Sequence, residues 1–447
     1  MTESVIETAA LESAVPMVDT ALVDVPHLKR NFFLGVFNGA MFNFAETLMS
    51  VDTVLTWFVQ QLGGSYFLIG LVGPMRDAGW YLPQLFVSKW LEKQPHKLPQ
   101  YRSMAIIRCM AWLTWTLAAL FIRDFSLLLF LFFVAYAVNA IASGLSGLSF
   151  MDIVAKTIPP QRRGSYFGGR LFFGAILALG ASVIVSLTLD QNNSVDFPRN
   201  IGWLFLLSWI AATAGLIAFG YVIEPPGDVR LEETTMRSHV RRAARLPRHN
   251  QDFRYFLIAR VLLMLSYVAT PFYSVYSIEV LHSPVEIIGI YIAVRTLTAL
   301  LINPVWGRLS DRHHNRLVVR IATVIGMLVP IWAIFAPLLA PLLHIGLTYI
   351  FVPIFALLGL YDTGVGIGEN NLMFELSPDD DRAIHIGLTN TVMGVAYFST
   401  ILSGLLVTWL GYNGVFILAL IFFVVSLWAI SRVGEPRELE AEMAIEN

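Results

Sequence analysis

The residues best placed to do chemistry in this 447-residue sequence are a few charges stranded in long apolar stretches. Glu46 and Asp52 lie a turn and a half apart in the first stretch, Arg76 and Asp77 in the second, Arg295 in the eighth and Asp362 in the tenth, with Glu369, Asn370 and Asn371 beyond it. An ionisable side chain in hydrocarbon is costly, so it marks a path for solute, ion or proton unless it is merely paired. Burial drives a carboxylate toward protonation, and a nearby arginine opposes that. The expected chemistry is proton exchange at Glu46 tuned by Arg76, with a static ion pair as the alternative. Adjacent helical residues point about 100° apart, so Glu46 or Asp52 is expected to serve Arg76 better than Asp77 does. Arg108 and Arg260 lie near the ends of their stretches and are expected to snorkel. Tyr267, Tyr273 and Tyr276 set hydroxyls along one stretch, either on a cavity wall or in an interfacial belt.

Other chemistries lack their residues. The sequence holds no phosphate loop, no Gly-x-Ser-x-Gly elbow and no His-Glu-x-x-His. His313-His314 is too small a set for a metal, and the single cysteine, Cys109, allows neither a disulfide nor a cysteine-based metal site. No enzyme, cofactor or metal is expected. The net charge of −2 gives nucleic acid nothing to follow.

The elements that must position these residues follow from composition. The chain is 56% hydrophobic and 14% charged, with a mean hydropathy of +0.65; soluble proteins carry about 25% charged residues. A membrane-spanning helix needs about 20 apolar residues. Twelve candidates lie at 31–59, 66–90, 104–122, 125–148, 166–189, 201–223, 255–281, 285–307, 317–336, 345–368, 386–410 and 412–431. They are unbroken rather than alternating, which favours helices over barrel strands. Turns as short as Gly63-Gly64-Ser65, His282-Ser283-Pro284 and Gly411-Tyr412-Asn413 join neighbours.

Of the 30 lysines and arginines, Arg123 and Arg199 fall in loops on one side and Arg76, Arg108, Arg260 and Arg295 are counted within spans, whereas Lys89, Arg170 and Arg320 at span ends are counted with the adjoining face. The other 24 lie on the opposite side, which the positive-inside rule makes cytoplasmic together with both termini. Residues 1–30 read as an acidic cytoplasmic tail rather than a cleaved signal, because a secretory leader begins basic. Residues 224–254 read as a cytoplasmic linker whose Arg237, Arg241, Arg242, Arg245 and Arg248 either set topology or lie on lipid headgroups. Bundles at 31–223 and 255–431 flank it, and 432–447 forms a cytoplasmic tail.

One offset of 219 residues aligns several features. Gly70 falls on Gly289, Arg76 on Arg295, and Ser88-Lys89-Trp90-Leu91-Glu92-Lys93 on Gly307-Arg308-Leu309-Ser310-Asp311-Arg312. Pro159, Arg163 and Gly168 fall on Pro378, Arg382 and Gly387. Each half then holds six spans in parallel orientation. With 6+6 spans, a long middle loop and Gly307, Asp311, Arg312 and Arg316 spaced as Gly-x-x-x-Asp-Arg-x-x-x-Arg, the chain resembles the major facilitator superfamily over residues 31–431. The first copy of that motif is degraded, with Ser88, Glu92 and Lys93 at the matching positions.

The resemblance implies an all-α membrane protein of twelve helices in two six-helix repeats. It implies a secondary active transporter of a small solute, proton-coupled and monomeric, in the cell membrane, working by alternating access. A non-transporting sensor or assembly factor on the same fold is the alternative. In that family spans 1, 4, 7 and 10 line the cavity, which would set Glu46, Asp52, Asn139, Tyr267, Tyr273 and Asp362 along the solute path, with Arg76, Asp77 and Arg295 at similar depth. Asp311 would latch onto the start of span 5 near Arg163 or Arg170. Glu92, beside Lys93 in the first gate loop, would act likewise toward the start of span 11 near Arg382 and His385, both latches closing the cytoplasmic side. Gly168, Gly169, Gly174 and Gly180 give span 5 a face for close packing. Span 5 lacks the Gly-Pro-x-x-Gly-Gly pattern of the family's drug/proton antiporters.

Overall fold

The computed structural model describes residues 27–92, 94–190, 194–227, 245–312, 314–343, 346, 349–377 and 382–434. All regular structure among them is helical. In the N-terminal half α1 (Leu28–Leu48) passes through a π turn (Val51–Leu55) into α2 (Thr56–Gln61). Then come α3 (Tyr66–Glu92), α4 (Leu98–Phe121), α5 (Phe125–Thr157), α6 (Pro160–Leu189) and α7 (Arg199–Gly220). The C-terminal half begins with a short α8 (Leu246–His249), then α9 (Gln251–Ser266), a 3-10 turn (Tyr267–Ala269) and α10 (Thr270–Glu279). It continues with α11 (Ile287–Arg312), α12 (Asn315–Leu343), α13 (Val352–Glu375), α14 (Arg382–Ser399), a 3-10 turn (Thr400–Leu402) and α15 (Ser403–Ile430).

Eight helices among the described residues are long and apolar enough to cross a membrane. Large apolar side chains such as Phe33, Leu171, Leu338, Leu342 and Trp409 stand more than half exposed. Water would penalise that surface, and acyl chains would not.

Each of the three tight turns expected from sequence holds a left-handed residue: Gly63 at φ 78°, His282 at φ 53° and Gly411 at φ 69°. At Gly411 the chain reverses and divides α15 in two. Two interruptions depart from the sequence expectation. Ser50 is extended (φ −51°, ψ 121°), and its carbonyl accepts from Leu55 N at 3.0 Å, which makes the π turn that carries Asp52. Pro271 has no N–H to bond back along the helix, and the 3-10 turn at Tyr267–Ala269 takes up the slack. Helices also outrun the apolar segments. α5 continues nine residues past the expected 148 and stops where Ile158 is held extended before Pro159 (φ −119°, ψ 114°). α13 occupies Val352–Glu375 rather than 345–368, because its polar end through Glu369 and Asn371 remains helical. Hydropathy marks the lipid-buried length, whereas backbone hydrogen bonding sets the helix length.

In the N-terminal half α1 packs on α6 and α7, α4 on α5 and α7, and α3 on α5. In the C-terminal half α13 packs on α11 and α12, and α15 on α9 and α12. The halves meet where α6 crosses α11 and where α3 crosses α14 and the start of α15. On one face, here called basic, helix ends are tied within each half. Asn31 bonds Ile223 O at 3.0 Å, Glu224 accepts from Lys97 N and Leu98 N and pairs with Lys156 at 3.0 Å, and Asp252 accepts from Gly434 N at 2.7 Å. Arg316 reaches Ser431 O at 2.9 Å.

Contacts recur at the 219-residue offset. Gly79 leaves no room for a side chain against Ala140, and Gly359 leaves little against Thr298 and Ala299, 3.2 and 3.3 Å from an added Cβ. A Cβ on Gly70 would fall 2.6 Å from Gly404 N, and one on Gly289 would fall 2.6 Å from Ser186 Cβ. Gln60 and Glu279, themselves 219 apart, bond to each other at 2.5 Å.

Candidate functional site

A cavity of about 440 Å³ lies between the halves, bordered by the π turn, α3, α9, α11, α13 and α14. Arg295 holds its wall together. Its Nη1 donates to Asp52 Oδ2 at 2.9 Å, and its Nε and Nη2 donate to Asp362 Oδ2 at 3.0 and 2.6 Å. Tyr267 OH donates to the other Asp362 oxygen at 2.7 Å. Local folding explains the geometry. The π turn carries Asp52 to the seam, and the bare α-carbon of Gly359, nearly a turn before Asp362, lets α13 approach the Arg295 carbonyl (2.5 Å from an added Cβ). Asp52 belongs to the N-terminal half and Asp362 to the C-terminal half. One guanidinium therefore serves two carboxylates across the seam, with all three side chains about a quarter exposed to the cavity.

Arg76 departs from expectation. Its Nε pairs with Asp77 Oδ1 at 2.9 Å, not with Glu46 or Asp52. The 100° between adjacent helical positions is bridged because Arg76 is half exposed and its long arm is free to fold back along the cavity. Arg260 does not snorkel: it pairs with Glu369 at 3.1 Å, and both line the central cavity. Nor does Arg108, which is 8% exposed and turned inward toward Asn139 and Ser146. In both cases an internal cavity gives the guanidinium polar partners, so it need not reach the surface. Tyr267 lies on the cavity, but Tyr273 and Tyr276 are core residues, stacked on Phe416 and Phe351. Six residues on from Tyr267 is about 120° off its helical face.

Glu46 is exposed and lines two smaller cavities. One, of about 240 Å³, also holds Asp52, Arg76 and Arg295; the other is described below. Among the described residues no ion pair or hydrogen bond reaches its carboxylate.

On the face away from the basic one, Glu279 accepts hydrogen bonds from Gln60 at 2.5 Å, from Tyr66 at 3.1 Å and from Tyr412. Ser274 Oγ donates to Asp52 O at 2.8 Å and Ser186 Oγ to Glu286 O at 2.9 Å, so the seam is closed there. Sequence reasoning misses Glu279, although the offset places it on Gln60. On the basic face Gly164, Gly168 and Gly307 have open space where a Cβ would stand, and Asp311 and Arg312 are exposed without a hydrogen bond or ion pair among the described residues. Arg163 caps its own side of the seam, donating to Ile158 O and Ala155 O at 3.1 and 2.9 Å. Arg170 donates to Gly35 O and Asn38 Oδ1 at 2.5 and 3.0 Å. The expected contact of Asp311 with either arginine is thus not made in this structure. Instead the signature loop is tied into its own half: Asn371 bonds Ser310, Ser310 bonds Asn315, and Asn315 bonds Glu375 at 2.8 Å. Gly169 and Gly174 of α6 pack on Val36 and Asn43 of α1. The side chains of Glu92 and Arg382, all of Lys93, and Arg237, Arg241 and Arg242 lie outside the described residues.

Residues 255–445 match the sequence model described as Major Facilitator Superfamily. No curated protein matches the chain. Among solved structures, a mutant of the nucleoside transporter NupG aligns with a TM-score of 0.69 at 14% identity, covering 91% of this chain and 100% of that one. The D-xylose-proton symporter aligns with 0.69 at 14%, covering 92% and 99%. A bacterial homologue of the iron transporter ferroportin, in an inward-facing state, aligns with 0.67 at 13%, covering 91% and 98%. Identities this low speak for the fold. The C-terminal part of the chain, residues 255–445, thus matches that superfamily in sequence, and the chain as a whole shares the fold of these solved transporters.

Proposed function

We propose that this chain is a secondary transporter of the major facilitator superfamily that moves a small polar solute by alternating access, coupled to protons, as a monomer in the cell membrane. Its halves act as two parallel repeats of six spans each, with both termini and residues 224–254 cytoplasmic. The matching contacts at Gly70 and Gly289, at Gly79 and Thr298, and between Gln60 and Glu279 support the repeat. The open basic face then corresponds to the cytoplasmic side, and the structure to an inward-facing state.

The observation that carries the reading is Arg295 divided between Asp52 of one half and Asp362 of the other. Protonating Asp52 removes its charge, and Arg295 retires to Asp362 in its own half. The seam then loses an ion pair worth about 1–2 kcal/mol, between the values for exposed and buried pairs. That shifts the balance of states by about tenfold. Glu46, open to the same cavity as Asp52 and Arg76, is the group that solute or proton reaches next. Asp311 and Arg163 would close the basic face when the halves rock the other way.

The test begins with thermal stabilisation of the purified chain by a metabolite panel. A stabilising solute is then followed into proteoliposomes with and without an imposed pH gradient. Accumulation driven by the gradient, lost in Asp52→Asn, is the expected result. A solute that binds but never crosses would instead mark a sensor.

A further inference from the structure

A cavity of about 250 Å³ lies wholly within the N-terminal half, among α1, α3, α4, α5 and α6. At one end stands Arg108, nine-tenths buried. Its Nη1 lies 3.3 Å from Ser146 Oγ, its Nε 3.5 Å from Asn139 Oδ1, and its guanidinium 4.8 Å above the ring of Phe42. These are long contacts to neutral groups, and no described carboxylate neutralises the charge. Arg170 shares the wall, held by Gly35 O and Asn38 Oδ1 and lying 4.7 Å over Phe150. Glu46 also opens into this cavity, too far from Arg108 for an ion pair. Phe42, Trp80 and Phe150 supply apolar wall. The cavity is therefore cationic and buried at one part of its wall, anionic at another and apolar elsewhere.

A buried guanidinium gains most from a carboxylate that meets it in a desolvated place. A carboxylate open to a cavity attracts an ammonium in the same way. The volume lies below the about 300–1,000 Å³ of sites for drug-sized ligands, which sets the ligand at metabolite size. We propose that this cavity binds a small zwitterion, with its carboxylate on Arg108 backed by Arg170 and its ammonium on Glu46. The two fixed charges make the pocket a gauge of length, because a ligand lacking either charge, or separating them wrongly, leaves one protein group without its partner. The proposal rests on the reading of the chain as a solute transporter and adds the class of cargo. Its test is equilibrium binding, so it fails or stands separately from flux.

The full-length chain in nanodiscs is titrated with ω-amino acids from glycine to 6-aminohexanoate. Each is paired with the straight-chain carboxylate lacking the amine and the amine lacking the carboxylate, read by melting temperature and calorimetry. One chain length should bind best, with its matched carboxylate and amine each at least tenfold weaker. Arg108→Gln should weaken that amino acid at least tenfold, and Arg108→Lys, which keeps the charge, should weaken it less. Glu46→Gln should weaken the amino acid about tenfold while leaving the matched carboxylate unchanged, a split that general damage to the fold would not give. If no ω-amino acid binds better than its carboxylate, or if Glu46→Gln binds it as tightly as wild type, the proposal is wrong. Binding as expected with no flux in proteoliposomes would overturn the transport reading alone.

Discussion

At the scale of single residues, Arg76 and Arg295 lie 219 residues apart in the sequence yet live differently. The 219-residue offset sets Ser143 against Asp362, so Arg76 meets no carboxylate at that place on α5 and folds back on Asp77. Arg295 has Asp362 and adds Asp52 across the seam. Asp362→Asn takes the charge from a group that accepts three hydrogen bonds, two from Arg295 and one from Tyr267. It should destabilise the protein by about 1–3 kcal/mol, seen as a lower melting temperature, while the Arg295–Asp52 contact persists. Glu279→Ala has a different signature. It strands the donors of Gln60, Tyr66 and Tyr412 and loosens the closed face. In a Cys109→Ser, Gly73→Cys background, an impermeant maleimide added from the Glu279 face should label residue 73, which lines the central cavity, several-fold faster than without the substitution. An unchanged rate would remove Glu279 from the gate.

At the scale of elements, the closed seam depends on bare backbone. Gly289→Val would set a Cβ 2.6 Å from Ser186 Cβ and 2.8 Å from Ser186 N, wedging α11 from α6. Crosslinks between cysteines at Ser182 and Glu286 should then form more slowly, and Gly70→Val should loosen α3 from α15 in the same way. Gly164→Ala, with open space around it, should leave this state untouched. Much of this scale is legible in the sequence: the helical segments and the three left-handed turns. The π turn at Val51–Leu55 is not, because Ser50-Val51-Asp52 carries neither proline nor glycine to announce a break. Pro271 foreshadows the 3-10 turn, and Tyr273, six residues from Tyr267, already lies about 120° off its face by helical geometry alone. Partner choice is illegible throughout. Whether Arg260 snorkels or meets Glu369 depends on how α9 and α13 lie together, which neither sequence segment contains.

At the scale of the whole molecule, the two halves touch on one face, among the described residues Asp311 makes no hydrogen bond or ion pair across the other, and the charges that connect the halves sit at the cavity between. If the halves rock about that cavity, weakening the joined face must bring the open face together. Spin labels test this directly in a Cys109→Ser chain in nanodiscs, with one pair at Gln61 and Asn413 on the closed face and another at Ser165 and Arg308 on the basic face, all exposed positions. The account predicts that Asp52→Asn lengthens the first distance and shortens the second in the same preparation. If Asp52→Asn leaves both distributions as in the parent chain, or moves one face without the other, the Arg295 bridge does not govern access.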